Sequence, residues 1–268
     1  MHELLPAIAI IGSSVAGLYD LKTTNMPDRF IISLAVLSLL VYASHGIATG
    51  EFSLLMNSIL VGSIFTAFGA LMYFTGQWGG GDGEMLAAIG FMLPSIAQDF
   101  FVNLFFIGAL YTMIFAVGFG IYRKLYTDFF KELKGIINSS HIIFIALSSL
   151  VIYLFYPLFA LLPVVLLFSL ILIVFLRFVE EKGFYRRIST KRLNVDDMLG
   201  EDISSLKLYK KHLRGLTKEE VLKIRRNRTT ILIREGVRFG PAFPLTLLFT
   251  LLYGNFAIQL ITWLAQIL

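Results

Sequence analysis

The chain has 268 residues, 57% of them hydrophobic and 15% charged, with a mean hydropathy of +0.77. A soluble domain carries roughly 25% charged residues, so the composition argues against a soluble globular enzyme and for a chain whose solvent is the bilayer. Cysteine is absent, which excludes disulfides, thiolate zinc sites, iron–sulfur ligation and a cysteine nucleophile. The net charge of +5 says less than the placement of the charges along the chain.

Uncharged apolar stretches occur at about 4–19, 30–45, 53–75, 83–97, 100–122, 141–156, 160–177 and 241–264. The first is read as an uncleaved helix rather than a signal peptide, because it lacks a basic n-region and its positive charge, Lys22, follows it. The run from 141 to 177 is too long for one span and carries Pro157 and Pro163, so it is expected to fold as a helical hairpin. Between Val179 and Gly236 the composition changes to fifteen basic and nine acidic residues. Within that insert Thr217-Lys218-Glu219-Glu220 reads as a capping box opening a helix through Arg226. Its positive excess suits anionic headgroups, and a solvated helical loop is the equal alternative. The expected fold is therefore all-α: a polytopic helical membrane protein of about eight spans (six to eight), with a cytoplasmic helical insert before the last. The expected division is a membrane domain at 1–178, the basic insert at 179–236 and a final transmembrane helix at 237–268.

Orientation follows from the basic residues. With the amino terminus outside, Lys22, Arg29, the cluster from Arg123 to Lys134 and everything from Arg177 to Arg238 fall on the cytoplasmic side, which accounts for all 23 lysines and arginines. The outer segments hold Glu3, Glu51 and Asp99. The lipid bilayer is the expected surroundings, and the plasma membrane the expected location.

Few acidic residues lie at helix edges: Asp20 ends the first span, and Asp82 and Glu84 open the fourth. Ionisable residues at such positions are expensive and mark function. Since two spans separate them, Asp20 and Asp82 reach the same cytoplasmic membrane face. Two neighbouring carboxylates share a proton, and such a pair hydrolyses amides: the ionised member takes a proton from water while the neutral one polarises or protonates the carbonyl. Gly79, Gly80, Gly81 and Gly83 surround Asp82 and leave room for positive φ and for close approach of a peptide.

Three ordered elements resemble the type IV prepilin peptidases and archaeal preflagellin (archaellin) peptidases, the GxGD membrane aspartyl proteases. Asp20-Leu21, followed after five residues by Pro27-Asp28, is similar to the first catalytic segment. Gly79-Gly80-Gly81-Asp82, with Met85 to Gly90 after it, is similar to the second, and Arg238-Phe239-Gly240-Pro241-Ala242 to the F-G-P element opening the last helix. The resemblance implies that Asp20 and Asp82 are the catalytic aspartates, and that the substrate is a pilin-like or archaellin precursor with a short basic leader. It also implies a peptidase-only, archaeal type of enzyme, since the four-cysteine loop of many bacterial members is missing. Glu84 stands where bacterial members usually carry lysine and is expected to add negative charge beside the dyad.

Other readings stay open at this stage. Tyr19-Asp20, Gly79 to Asp82 and Pro241-Ala242 are also similar to presenilin and signal peptide peptidase, although there the second aspartate follows on the next helix. A cation-coupled transporter using the same aspartates and a scaffold docking through the insert are further alternatives. The four histidines form no H-E-x-x-H, so a zinc metalloprotease is disfavoured, and the serines are read as packing residues. Neither a metal, an organic cofactor nor a nucleic-acid partner is expected, and oligomeric state is not readable from the sequence.

Overall fold

The computed structural model describes residues 4–136, 147–148, 150, 162–195, 197–206, 208–209 and 215–267. The chain is a helical polytopic membrane protein, and its contacts divide it into one unit of residues 1–112 and 186–268 and a second of residues 113–185.

In the amino-terminal part of the first unit the helices are α1 (Leu4–Thr23), α2 (Asp28–Thr49), α3 (Ser53–Phe74), α4 (Gly80–Met92) and the start of α5 (Ala97–Tyr122). Of these, α1, α2, α3 and α5 are long and apolar enough to cross a bilayer. α4 is not: thirteen residues rise about 20 Å at 1.5 Å each, against a hydrocarbon core of roughly 30 Å. The expected span at 83–97 is thus a shorter helix, cut at Met92 because Pro94 disfavours helical backbone at Leu93. A helix ending at such depth leaves orphan carbonyls. Two of them are covered: the Ser58 hydroxyl of α3 donates to Phe91 O at 2.6 Å, and the Tyr42 hydroxyl of α2 to Met92 O at 2.7 Å.

α4 is the central helix, with every residue from Met85 to Gly90 buried. A helix buried all round must be apolar or small all round, and Met85-Leu86-Ala87-Ala88-Ile89-Gly90 is. It packs most closely on α3 through small residues: a Cβ on Gly83 would lie 3.0 Å from Gly69 O, and one on Gly69 2.7 Å from the Gly83 Cα. Backbones approach this closely only where both helices lack side chains, and dispersion then replaces the hydrophobic effect as the force between apolar helices in lipid. Ile31, Leu34 and Tyr42 of α2, Leu5, Ala9 and Ala16 of α1, and Phe243 and Leu247 near the carboxyl end complete this core.

The last apolar stretch is two helices, α9 (Ala242–Tyr253) and α10 (Phe256–Ile267), bent by 50°. Gly254 takes φ +72° at the break, a conformation open to glycine. The fully buried Asn103 of α5 bridges the gap: its amide nitrogen donates to Thr250 Oγ1 (2.9 Å) and Gly254 O (2.8 Å), while its oxygen accepts from Phe256 N at 2.9 Å. Asn255 donates to Asp99 at 2.9 Å and caps α10, its oxygen accepting from Ala257 N at 3.0 Å. A single continuous span at 241–264 is therefore replaced by a broken one whose freed backbone groups are met by side chains.

The insert is not purely helical. Strands β1 (Tyr185–Ser189), β2 (Met198–Leu199) and β3 (Thr230–Arg234) form a sheet in the order β1-β3-β2, with β2 antiparallel to β3. Alternation in Thr-Ile-Leu-Ile-Arg buries Ile231 and Ile233 on one face. The expected helix is present as α8 (Lys218–Asn227), with the capping box in place: Glu220 N donates to Thr217 Oγ1 at 3.4 Å and Thr217 N to Glu220 Oε2 at 2.8 Å. Val221 and Ile224 of α8 close over Leu193, Leu199, Ile203 and the two strand isoleucines. Arg225 ties the helix to the loop by donating to the carbonyls of Thr190 (3.1 Å) and Leu193 (2.7 Å).

The second unit holds the end of α5, α6 (Leu125–Ile136) and α7 (Leu162–Gly183). Phe129 of α6 packs on Phe175 and Phe178 of α7. Pro163 sits in the first turn of α7, where its missing N–H is harmless. Most of the other arm of the expected hairpin, including Pro157, lies outside the described residues.

Candidate active site

Asp20 sits in the last turn of α1 with 7% of its surface exposed. Its Oδ2 accepts a hydrogen bond from Gly240 N at 2.9 Å, across 220 residues of sequence. Contact this close requires two glycines. A Cβ on Gly17 would lie 3.0 Å from the Gly240 carbonyl, and one on Gly240 would lie 2.9 Å from the Asp20 Cβ and 3.0 Å from Gly17 Cα. The turn after Asp20 is closed by Thr24, at φ +62°, whose N–H returns to Asp20 O at 2.8 Å.

Asp82 lies at the third position of α4, whose amino-terminal cap is Gly79. Its Oδ2 accepts from Gly79 N at 3.1 Å, the carboxylate half of a capping box. The helix dipole and the open amide groups of that first turn favour a negative charge there. Gly79 itself is extended, with φ −68° and ψ 158°. None of Gly79, Gly80, Gly81 and Gly83 has positive φ, whereas Gly76 just before them has φ +70°. The glycines around Asp82 therefore serve close approach rather than left-handed backbone: a Cβ on Gly81 would meet the Met26 side chain at 2.8 Å, and Gly83 touches Gly69.

Asp20 and the segment leading to Asp82 share neighbours: Gly240 N binds the Asp20 carboxylate, Phe239 beside it packs on Trp78, and Met26 lies against Gly81. Each aspartate ties Oδ2 to a glycine amide, and neither Oδ1 has a protein hydrogen bond among the described residues. What results is two carboxylates at the ends of two helices, each with its Oδ2 held by a glycine amide.

The supporting residues are distributed as follows. Pro27 caps α2, its carbonyl accepting from Phe30 N (2.9 Å) and Ile31 N (3.2 Å), while Asp28 is exposed in the first turn, where it complements the helix dipole. Met26, buried beside Pro27, is the residue of that turn which touches the glycine loop. Glu84 is half-buried two positions after Asp82, and residues two apart on a helix do not face each other. The charge expected beside the dyad thus projects from another side of α4. Pro241 opens α9 and abuts Gly17.

Several contributors carried no local signal. Trp78 belongs to an aromatic cluster with Phe68, Phe239 and Phe243 at centroid separations of 5.8, 5.9 and 6.5 Å. Phe239 also packs against Tyr111 at 6.4 Å. The cluster joins the segment before Gly79 to the segment before Gly240. Tyr111 donates its hydroxyl to Arg238 O at 2.7 Å, and the Arg238 guanidinium donates to Leu21 O. A spacing of Gly17 three residues before Asp20, on one helix face, was a readable hint. Nothing local marks a tyrosine 127 residues from its partner.

Residues 7–121 match the type IV leader peptidase family. That stretch contains both aspartates and bears out the resemblance in two of its three elements; Arg238 to Ala242 lies beyond it. The chain is also similar to the preflagellin peptidase of Methanococcus maripaludis, 27% identical over 139 residues, or 50% of this chain and 59% of that protein. The preflagellin peptidase of Methanococcus voltae is 33% identical over 107 residues, 40% of this chain and 44% of its own length. The chain thus spans about half the length of these relatives.

Proposed function

We propose that this chain is a membrane aspartic endopeptidase of the leader-peptidase type. It removes short basic leaders from pilin-like or archaellin precursors at the cytoplasmic membrane face. The observation that carries the reading is that Asp20 and Asp82, 62 positions apart in sequence and on different helices, are linked by shared contacts: Gly240 N binds Asp20, Phe239 beside it packs on Trp78, and Met26 lies against Gly81. The leader-peptidase match over residues 7–121 and the similarity to preflagellin peptidases support it.

The chemistry follows from one proton shared between two carboxyl groups. The ionised member takes a proton from a water held between the two Oδ1 atoms, and the oxygen attacks the scissile carbonyl carbon. The neutral member gives its proton to the carbonyl oxygen; as the C–N bond breaks, the leaving nitrogen is protonated by the carboxyl that took the water's proton, and one hydroxyl of the tetrahedral intermediate returns its proton to the other carboxylate, which restores the singly protonated pair. Hydrogen bonds from Gly79 N and Gly240 N hold the two carboxylates at fixed angles, so that orientation is set before substrate arrives. With the backbone of Gly79 and Gly80 accessible just before Asp82, an extended peptide meets backbone rather than side chains there. The leader's positive charge remains on the cytoplasmic side by the rule that orients the enzyme, with the division of the chain at 179 and 236 leaving the insert on that side.

The test is incubation of membranes containing the chain with a panel of pilin-like and archaellin-like precursors, read by mass spectrometry. Shortening at the leader junction supports the proposal. An inserted, folded chain that shortens no precursor refutes it.

A further inference from the structure

The segment from Arg238 to Gly240 touches the end of α1 at more than one point. Gly240 N donates to the Asp20 carboxylate at 2.9 Å, and the Arg238 guanidinium donates to the carbonyl of Leu21, the next residue. Leu21 lies in the last turn of α1, where carbonyls lack helical partners. Others in that turn are met locally: Asp20 O by Thr24 N at 2.8 Å, and Thr23 O by the Thr24 hydroxyl at 2.6 Å. The Leu21 carbonyl is instead met by Arg238, from more than 200 residues away, which places a cation at the negative end of the helix. The same guanidinium is within electrostatic range of Asp20.

Arg238 is itself anchored. Its backbone carbonyl accepts the Tyr111 hydroxyl of α5 at 2.7 Å, and the adjacent Phe239 ring is seated against Tyr111, Trp78 and Phe243. A Cβ on Gly108, one turn before Tyr111, would strike that ring at 2.6 Å. The anchor therefore runs from α5 through residues 238–240 to Asp20, and through Trp78 to the segment that leads into α4 and Asp82.

We infer that Arg238 is a positioning residue for Asp20, pinned by Tyr111, and that it acts through the α1 terminus rather than through substrate. This deepens the peptidase reading and rests on it. A guanidinium has the wrong sign to hold a basic leader, so a role in leader recognition is not what its charge suits. Its contacts are to enzyme backbone.

The experiment compares wild type, Arg238→Gln, Arg238→Lys and Tyr111→Phe in precursor cleavage, with kcat and KM measured separately and detergent thermal unfolding as the control for folding. A hydrogen bond to a charged group is worth a rate factor of roughly ten to one hundred when it holds a reacting group. Arg238→Gln is expected to lower kcat by that factor with KM within about twofold. Arg238→Lys keeps a donor and the charge and is expected to recover most of the loss, and Tyr111→Phe to lower kcat by about threefold to tenfold. Tyr111→Phe, which removes one hydroxyl, carries the test if Arg238→Gln does not fold. Wild-type kcat in both Arg238→Gln and Tyr111→Phe, a rise in KM at constant kcat, or a lysine variant as slow as the glutamine one overturns the inference while leaving the peptidase reading in place. A wild-type chain that cleaves nothing removes both.

Discussion

Replacing Gly240 with alanine adds one methyl group to the most confined contact of the site. The new Cβ would lie 2.9 Å from the Asp20 Cβ, 3.0 Å from its Oδ2 and 3.0 Å from the Gly17 Cα. Carbon atoms in contact rest about 3.5–4.0 Å apart, so the segment must withdraw from α1 by about half an ångström or more. Gly17 Cα is backbone and cannot rotate away. The hydrogen bond from Gly240 N, 2.9 Å in the native chain, then stretches to the edge of hydrogen-bonding range. Losing a bond to a carboxylate costs about 1.5–3 kcal/mol, and overpacking costs about 1–3 kcal/mol more. Gly240→Ala is expected to slow precursor cleavage by roughly tenfold to a hundredfold and to lower the thermal midpoint in detergent. Gly236→Ala is the control, since Gly236 is exposed and a Cβ there meets nothing within 4 Å. Wild-type rate and midpoint in Gly240→Ala, or an equal loss in Gly236→Ala, would refute the packing argument.

Asn103→Ala strips the broken helix of its clamp and leaves the half-buried Gly254 O and Phe256 N without their partner. A loss of about 2–4 kcal/mol is expected in thermal or denaturant unfolding, with Asn103→Asp between the two because it keeps only the acceptor. Tyr42→Phe and Ser58→Ala uncover the terminal carbonyls of α4 and are expected to cost about 1–2 kcal/mol each, with near-additive effects in the double variant if the two caps act independently. Because the chain has no cysteine, single-cysteine labelling reads its orientation directly. Glu51→Cys should react with an impermeant maleimide in intact cells, and Glu219→Cys only after the membrane is opened. The opposite pattern reverses the proposed topology.

The proposal that Asp20 and Asp82 act together draws on charge placement in the sequence: if the basic residues orient the helices, two intervening spans return the chain to the face it left. The capping box at Thr217 was legible because it is local, with donor and acceptor three residues apart. The brevity of α4 was signalled by Pro94, but an uncharged run hides a break that only backbone geometry makes visible. Gly254-Asn255 hid in the same way: within an apolar stretch a lone glycine is common, and what opens the helix there is Asn103 on another segment. The strands of the insert were masked by their own charges, since Tyr-Arg-Arg-Ile-Ser alternates too weakly to stand out. The link from Tyr111 through Arg238 to Leu21 spans 127 and 217 residues, and no periodicity encodes a contact of that kind.

The central claim is that Asp20 and Asp82 act as one unit, and a double-substitution cycle tests it most directly. Cleavage and binding of a susceptible precursor would be measured for wild type, Asp20→Asn, Asp82→Asn and the double variant in membranes. Groups that share one proton are grossly non-additive, so each single variant should be as inactive as the double while still binding precursor. A single variant that cleaves at the wild-type rate, or two partial losses that multiply in the double variant, would contradict the account.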